Sequence, residues 1–529
     1  MALKLEQILK EASFARPVEP QIRWEDAARR VAQLECHSSA LAELCGLLFS
    51  HCHLSFGGLI VEERAGFELR YVFYGDNDTP WIYVLARVGS AEQRVPSVSR
   101  FVHGADWHER EAEDLFGLIF EGHPRLGNFV LHDDVWPEGV APMRKSFPAC
   151  ALDTHREKSR GWKPRRIVEA DGAFVMPVGP FFSVATEPVH FVLETVGEDV
   201  IRAQPRLFYT YRGLEKIAEG RRAQDVVLLA ERISATSAFA HSLAFCQAVE
   251  QIWKVEVPPR ARALRVFFAE LERLRHHVAA IEGICESTSF AVAAAQAAIL
   301  QEDLLRICGS LSGHRYLFGL NAIGGLTLNP DDRMLRRAAA QVRQVAERLA
   351  LLERMLNTSS SFLDRLEEVG VVRTQDAIDF GMVGPVGRAS AVSRDLRKVQ
   401  PYCGYDELDF ETPYEPEGDG YARLRVFFKE SFQSAQLIGA VAETVPKGSS
   451  RTDQAVVSPG AALGWVEAPA GAALHWIRLS EGGTVERYRI ITPSFANWHA
   501  FRLAAENFAF QDFPIILATF ALSVHENDR

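Results

Sequence analysis

Apolar and polar residues alternate in several short runs of the first third of the chain, which is typical of half-buried β-strands. These runs cover residues 58–61, 67–73 and 81–86. Before them, residues 25–49 carry apolar positions at helical spacing and predict one amphipathic helix. Residues 1–165 are therefore predicted to form a small α/β domain.

After residue 178, apolar positions recur at helical spacing and predict a mainly α-helical domain. Charged residues at 270–277 lie within a helix that is otherwise apolar all round, which suggests buried charge pairs. The last part of the chain returns to alternation at 464–479 and 484–498. A turn is predicted between these two β segments at Gly482-Gly483.

Together these patterns predict an α+β fold with two domains. The small α/β domain covers 1–165, and a mainly α-helical domain with peripheral β-hairpins covers 170–529. Residues 127–176 are rich in proline, aspartate, arginine and glycine, and are predicted to be an ordered linker. The second domain is expected to begin at Val178-Gly179-Pro180.

The composition is that of an ordinary globular chain, with 529 residues, 47% hydrophobic and 24% charged. No apolar run reaches the roughly 18 residues that span a bilayer, and the N-terminus lacks the apolar stretch of a signal peptide. Membrane association is therefore expected only through partners. A net charge of −11 argues against nucleic-acid binding, and the short basic run at 156–166 is interpreted as a solvated linker.

The cysteines stand singly, without the C-x-x-C spacing of a zinc or iron–sulfur site, which favours buried thiols in a reducing compartment. A zinc site among the cysteines and histidines of 36–53 is the less favoured alternative. The reason is that Cys45 lies on the apolar side of a predicted helix. The sequence has no phosphate-binding or dinucleotide-binding glycine motif.

A 19-residue string at 108–126 reads HEREAEDLFGLIFEGHPRL. It resembles the signature of the 30-kilodalton subunit of complex I and of its formate hydrogenlyase counterpart. Its acidic residues, Glu109, Glu111, Glu113 and Asp114, are predicted to crowd one short helix that ends at 122–124. We favour a structural role for this helix over an acid/base site.

The segment 231–242 reads ERISATSAFAHS and resembles the first metal motif of energy-converting NiFe hydrogenases, E-R-x-C-G-x-C-x-F-A-H-S. Ser234 and Ser237 stand where that family has its cysteines, and His241 matches the histidine. A serine hydroxyl is a poor substitute for a thiolate that must bind a soft metal. In complex I the corresponding stretch carries a quinone-binding tyrosine, and Ala235 takes that position here.

Other large-subunit motifs are matched with changes at the same site. Phe182 stands for the histidine that helps to protonate quinone in complex I, whereas Glu187 of the Glu-Pro pair is kept. Ala470 replaces the arginine of E-A-P-R-G, and Ser523 and Glu526 replace the last cysteine pair. The resemblance therefore implies neither a NiFe centre nor an ordinary quinone site.

The resemblance covers nearly the whole chain and implies a fusion of the 30-kilodalton and 49-kilodalton types, similar to formate hydrogenlyase large subunits, hydrogenase-4 component G and the C/D fusion of NADH dehydrogenase. Arg212 matches a motif that lies beside the partner's terminal iron–sulfur cluster in complex I, where a fixed positive charge raises the reduction potential. The implied partners are ferredoxin-like and small iron–sulfur subunits and membrane antiporter-like subunits, with no nucleic acid. The implied location is the cytoplasmic face of the inner membrane.

The implied function is that of a peripheral-arm subunit that couples electron transfer to ion translocation, rather than a hydrogenase by itself. The chain is expected to bind no cofactor, and quinone stays an open alternative. A structural or coupling subunit with a vestigial site and a modified quinone-reducing subunit also stay open. If the site is still used, Glu187, His241 and Glu526 would form a proton path. If it is vestigial, the two carboxylates would pair with Arg232, Arg388 or Arg529 and have a structural role.

Overall fold

The computed structural model describes the backbone of residues 21–26 and, with side chains, residues 31–76, 79–90, 92–132, 135–137, 139–147, 171–181, 187–452 and 456–529. The chain divides into two compact units. The first is Met1–Arg165 with Ile378–Gly381, and the second is Arg166–Ala377 with Met382–Arg529.

The first unit is built on a sheet whose described strands follow the order β1-β2-β5-β4-β3. Only β2 and β5 run parallel among these neighbours, all within the described residues. The strands are β1 Gln21–Asp26, β2 Val31–Cys36, β3 Ser55–Glu63, β4 Gly66–Tyr74, β5 Trp81–Gly89, β6 Arg94–Pro96 and β7 Ile119–Glu121. The helices are α1 Leu41–Ser50 and α2 Ala105–Phe116.

The strands predicted at 58–61, 67–73 and 81–86 are confirmed as parts of β3, β4 and β5. The helix predicted over 25–49 is wrong in its first half, where β2 lies; among the described residues of that range, the 3-10 turn Ser38–Ala40 and α1 are helical. Residues of β2 pair along their whole length with β5. Pairing with a buried strand therefore overrides the local helical period.

Helix α2 ends at Gly117, which has a φ of 70° and donates its N–H to the carbonyl of Glu113 at 2.7 Å. The predicted end at 122–124 is wrong, because β7 lies between the helix and that segment. Glycine adopts the left-handed conformation without a steric penalty, and a single glycine after the last turn is enough to end a helix.

The acidic residues of α2 bind neighbouring backbone groups. Glu109 accepts hydrogen bonds from Ser97 Oγ at 2.5 Å and from the N–H of Val98 at 2.7 Å. Asp114 accepts from the N–H groups of residues 129–131 at 2.7–3.1 Å. These carboxylates hold loops in place, which favours the structural role.

The second unit contains a sheet in the order β16-β10-β9-β8 and another in the order β13-β14-β15. Its described strands are β8 Ala173–Val178, β9 His190–Val196, β10 Asp199–Arg206, β11 Asn321–Ala322, β12 Gly325–Leu326, β13 Gly460–Ala468, β14 Gly471–Leu479, β15 Val485–Ile491 and β16 Phe508–Ala509. The remaining helices are α3 Leu214–Ala218, α4 Ala223–Ala230, α5 Ala238–Trp253, α6 Pro259–Ser287, α7 Ala291–Ser312, α8 Asp332–Asn357, α9 Ser360–Leu363, α10 Thr374–Asp379, α11 Gly384–Arg388, α12 Leu396–Val399, α13 Gly420–Thr444, α14 Pro493–Ala504 and α15 Phe513–Phe520.

Helix α6 lies at the centre of the second core, packed against α7 and α13. Its charged side chains at 270–277 are buried, and the ion pairs predicted for that stretch are present. They belong to a larger network of buried ion pairs: Arg273–Glu270 at 3.4 Å, Arg397–Glu270 at 3.0 Å, Arg397–Asp395 at 2.6 Å, Arg388–Glu430 at 2.6 Å and Arg388–Glu467 at 2.8 Å. Burial alone would raise the pKa of Asp395, but Arg397 and Arg388 hold it at about 2. The network compensates charges that would be costly to bury singly.

The predicted turn at 482–483 joins β14 to β15. Two details of the β tail differ from the prediction. A tight turn at Pro469-Ala470 divides 464–479 into two strands, and Pro493 begins α14, so the end of 484–498 is helical. Proline suits the first turn of a helix because its missing N–H needs no partner there. None of the described helices is long and apolar enough to cross a membrane.

Candidate functional site

The segment 231–242 forms a single 3-10 turn, Ala235–Ser237, that leads into α5. Glu272 of α6 accepts hydrogen bonds from the first N–H groups of α5, at 2.8 Å from Phe239 and 2.9 Å from Ala240. A carboxylate at this end satisfies free donors and lies at the positive end of the helix dipole. Burial raises the pKa of Glu272 to about 7. Glu272 therefore anchors the turn that carries Ser237.

Glu526 is buried and lies opposite this turn. Its carboxylate accepts from Ser237 Oγ at 3.0 Å and from Ser494 Oγ at 2.5 Å. His241 Nε2 lies 3.5 Å from Glu526 Oε1, at the outer limit of hydrogen bonding. Burial by itself would raise the pKa of Glu526, but His241, Ser494 and Ser237 bring it below its ordinary value. The first and last large-subunit motifs thus meet at one ionised carboxylate.

Glu187 binds the residues just before Glu526. It accepts from Ser523 Oγ at 3.2 Å and from the N–H groups of Val524 and His525, the latter at 3.0 Å. His525 Nδ1 lies 2.9 Å from Glu187 Oε1, and both side chains are partly exposed, at 43% and 24%. The hydrogen bond to Glu187 raises the pKa of His525. This pair is the solvent-facing part of the site.

Ser494 and Ser523 connect the two carboxylates. Ser494 Oγ donates to Glu526 and accepts from the N–H of Ser523 at 3.2 Å, while Ser523 Oγ donates to Glu187. Glu187 and Glu526 therefore belong to one hydrogen-bonded network without touching in the described structure.

The arginines considered as alternative partners are engaged elsewhere. Arg388 pairs with Glu430 and Glu467, Arg529 with Glu215, and Arg232 lies 3.5 Å from Glu231. The described ion pairs of Glu187 and Glu526 are to histidines instead.

The remaining predicted positions lie around this network or outside the described residues. Ser234 Oγ hydrogen-bonds Thr236 Oγ1 at 2.8 Å, and Ala235 is exposed. Ala470 occupies the turn between β13 and β14, where its carbonyl accepts from Asn497 Nδ2 at 3.3 Å. Phe182 is outside the described residues.

Arg212 acts as a clamp on backbone carbonyls. Its guanidinium donates to the carbonyls of Asp528 at 2.9 Å, Ile233 at 2.8 Å and His525 at 2.5 Å, and also to that of Arg232. It therefore ties the 231–242 segment to the C-terminal segment. Only arginine, with its planar fork of donors, can serve so many acceptors at once.

Sequence reasoning missed three residues of the network: Ser494, His475 and Tyr488. His475 Nε2 lies 3.0 Å from His241 Nδ1, and Tyr488 Oη lies 2.7 Å from His475 Nδ1. His475 and Tyr488 point inward from the neighbouring strands β14 and β15. The signal in the sequence was a polar residue at an inward-facing position of an otherwise apolar strand. Ser494 follows a Thr-Pro helix start, a sequence signal that places it in the first turn of α14.

The donor set does not fit a nickel–iron pair, which is held by thiolates. The four positions carry three hydroxyls and a carboxylate, and two of these groups are hydrogen-bonded to each other. In the described part of the chain, no group of three or more His, Cys, Asp or Glu residues could hold a metal ion.

A sheet unit is followed by a mainly helical unit, and the first and last motifs of the helical unit meet at the buried carboxylate of Glu526. This arrangement is the one expected of a protein in which a small and a large subunit are fused. The model for the respiratory-chain NADH dehydrogenase 30 Kd subunit matches residues 23–151. That for the 49 Kd subunit matches 288–459 and 450–529, and that for nickel-dependent hydrogenase matches 212–280. The chain belongs to the family of fused 30- and 49-kilodalton complex I-type subunits, which includes formate hydrogenlyase subunit 5, hydrogenase-4 component G and the C/D fusion of NADH-quinone oxidoreductase.

Formate hydrogenlyase subunit 5 of Escherichia coli K12 is 32% identical over 452 residues, which cover 83% of this chain and 78% of that protein. The NADH-quinone oxidoreductase C/D fusion of Bdellovibrio bacteriovorus is 31% identical, over 74% of this chain and 70% of that protein. A chain in the structure of the membrane-bound sulfane sulfur reductase, an archaeal respiratory membrane complex, aligns with a TM-score of 0.65. It is 28% identical, and the match covers 68% of this chain and 99% of that chain.

Proposed function

We propose that this chain is the large subunit of the peripheral arm of a membrane-bound, complex I-like or formate hydrogenlyase-like oxidoreductase. It has no nickel–iron centre, and its assembly couples electron transfer to ion translocation. The membership of the fused-subunit family supports a peripheral-arm subunit.

The observation that carries the absence of nickel is the hydrogen bond between Ser237 and Glu526. These residues occupy two of the thiolate positions, and they bind each other at 3.0 Å. A metal at that point would have to displace this bond and then bind hard oxygen ligands in place of thiolates.

We further propose that the chain holds no cofactor of its own. An iron–sulfur cluster would lie in a ferredoxin-like or small iron–sulfur partner beside Arg212, and antiporter-like partners would attach the assembly to the cytoplasmic face of the membrane. The clamp geometry supports this role for Arg212, because a guanidinium fixed by four carbonyls offers a stationary positive charge.

The residues of the site suit proton transfer. The partly exposed pair His525–Glu187 can exchange protons with solvent, and Ser523 and Ser494 lie between this pair and buried Glu526. The two serines are joined by the peptide N–H of Ser523, which does not relay protons, so the proposed path uses a water molecule between their hydroxyls. We assign His525 as the entry group, because it is partly exposed and its hydrogen bond to Glu187 raises its pKa above the ordinary value, which favours the protonated ring.

A structural subunit with a vestigial site is the second candidate. It is favoured by the saturation of Glu526, whose carboxylate is buried and bound to two hydroxyls. A cavity of about 550 Å³ between α7 and α8 is lined by none of the site residues.

The test is the purified assembly, isolated through a tag on this chain. We expect no nickel by metal analysis, whereas nickel near one atom per chain would refute the proposal. Glu187→Gln and Glu526→Gln should abolish proton uptake into reconstituted vesicles while the subunits still copurify. Glu302→Gln, at an exposed carboxylate, is the matched control. Loss of assembly, or unchanged proton uptake, would favour the structural candidate.

A further inference from the structure

A chain of buried polar groups runs inward from Glu526. His241 Nε2 faces Glu526 at 3.5 Å, His241 Nδ1 lies 3.0 Å from His475 Nε2, and His475 Nδ1 lies 2.7 Å from the Tyr488 hydroxyl. All four side chains are at most 1% exposed. Polar groups buried this deeply need hydrogen-bond partners, and here the members of the row lie close enough to serve one another.

Each contact in this row needs one hydrogen, so the row has a direction. The carboxylate can only accept, so its 3.5 Å contact with His241 Nε2 is favourable when that nitrogen carries a hydrogen. With that hydrogen in place, neutral His241 has a bare Nδ1 that accepts from His475 Nε2–H. Neutral His475 then has a bare Nδ1, which accepts from the hydroxyl of Tyr488.

Tyr488, at the inner end of the row, favours the same direction of hydrogen bonding. Burial and the charge of Glu215 raise the pKa of Tyr488 well above its ordinary value, so its hydroxyl stays protonated. Burial lowers the pKa of His475 well below its ordinary value, and the charge of Arg529 acts in the same direction, so this ring stays neutral. Among the described residues, His475 is the partner of the Tyr488 hydroxyl.

We infer that Tyr488 and His475 are positioning residues that set the tautomer of His241, so that His241 presents Nε2–H to Glu526. The inference rests on the proposed role of Glu526 and deepens it. Since Tyr488 gives up no proton, the Tyr488 side of Glu526 is closed. The hydroxyl contacts that remain to the Glu526 carboxylate are those of Ser494 and Ser237.

The reversed row has an identifiable cost. If His241 carried hydrogen on Nδ1, His475 would have to accept at Nε2 and donate from Nδ1 to the Tyr488 oxygen. The hydroxyl hydrogen of Tyr488 would then be buried without an acceptor, which disfavours the reversed form by roughly tenfold or more. Tyr488→Phe removes this part of the preference, because each direction then leaves Nδ1 of His475 without a partner, while the contact of His241 Nε2 with Glu526 is unchanged.

The test is nitrogen NMR of the purified full chain labelled with 15N-histidine, with His241 and His475 assigned from single substitutions. In the wild type we expect both rings to be neutral and protonated at Nε2. In Tyr488→Phe, the fraction of His241 protonated at Nδ1 should rise about tenfold. Phe245→Leu is the matched control, because Phe245 packs edge-on against the Tyr488 ring at 5.4 Å without a polar contact.

A second variant protects the test against misfolding. His475→Gln can accept from Tyr488 and donate to His241, so it should keep His241 protonated at Nε2, whereas His475→Leu should not. Nδ1 protonation of His241 in the wild type, or an unchanged His241 in Tyr488→Phe, would overturn the inference. The tautomer is measured without turnover, so its failure is distinguishable from a failure of proton uptake in Glu526→Gln.

Discussion

Removal of the buried guanidinium of Arg388 should be one of the most damaging single changes in the second unit. Arg388 is fully buried and donates to Glu430 at 2.6 Å and to Glu467 at 2.8 Å. Arg388→Met keeps much of the side-chain volume and leaves both carboxylates without their main partner. Breaking a buried ion pair from one side costs about 3–5 kcal/mol.

The structure places the expected loss near the lower end of that range. Glu430 keeps a contact with His277 at 2.9 Å, and Glu467 keeps the N–H of Leu396 at 3.0 Å. We therefore expect the free energy of unfolding to fall by about 3 kcal/mol at pH 7. The matched control, Arg306→Met, breaks an exposed pair with Glu302, which solvent screens, and should change the stability far less.

The loss should depend on pH in a defined sense. Burial by itself would raise the pKa of Glu430, but Arg388 and His277 lower it below its ordinary value of 4.5. A carboxylate with a lowered folded pKa stabilises the protein above its unfolded pKa and loses that contribution as the pH falls further. The difference between Arg388→Met and wild type should therefore be full at pH 7 and shrink below about pH 4.5.

Urea unfolding followed by far-ultraviolet circular dichroism at pH 7 and pH 4 measures both effects. Adding Glu430→Gln to Arg388→Met should recover part of the lost free energy of unfolding, because it removes one of the two buried carboxylates that have lost the arginine. A cost of Arg388→Met no larger than that of Arg306→Met, or the same cost at both pH values, would refute the proposed role of the buried pairs.

Three further predictions follow from contacts of the second unit. The folded pKa of Glu272, about 7, lies above the ordinary value of 4.5, so its contribution to stability is lost as the pH rises from about 5 to 7. Glu272→Gln should therefore make the unfolding midpoint fall less steeply with pH over this range. An unchanged slope of the midpoint against pH would contradict this. Gly464→Ala should destabilise the unit by more than about 1 kcal/mol, because its Cβ would lie 2.0 Å from the carbonyl oxygen of Ala244. Gly439→Ala meets nothing within 4 Å in its helix and should stabilise it by up to about 1 kcal/mol, so equal unfolding midpoints would count against the packing argument. Arg212→Lys should speed amide hydrogen exchange at 524–529, because the compact ammonium group of lysine lacks the planar fork of donors that binds carbonyls in both segments. Unchanged exchange would contradict the proposed clamping role of Arg212.

The spacing of apolar residues predicted the secondary structure where a single period, that of a strand or that of a helix, ran through a whole segment. Strands β3 to β5 follow from alternation, the long helices follow from apolar spacing, and the motif strings carry the family resemblance. The pattern failed where a neighbour decided the conformation. Residues of β2 have a helical period but pair with β5, and α2 ends at a glycine five residues before the predicted stop.

The sequence by itself determined which residue types stand at the site. Serines and a glutamate stand at the positions that are cysteines in the hydrogenase motifs that the sequence resembles, and these residue types are the same whatever the fold. It also determined that Glu187 and Glu526 belong to motifs at opposite ends of the second domain.

Only the tertiary structure decided how these groups are paired. Ser237 and Glu526 are 289 residues apart in sequence, and Ser523 and Glu187 are 336 apart. Hydrogen bonds depend on distances of about 3 Å, and no local periodicity carries information across such separations. The same holds for His475 and Tyr488, whose inward direction depends on strand register, and for the direction of the row that ends at Glu526. Residue types are read along the chain, but their partners are set by packing.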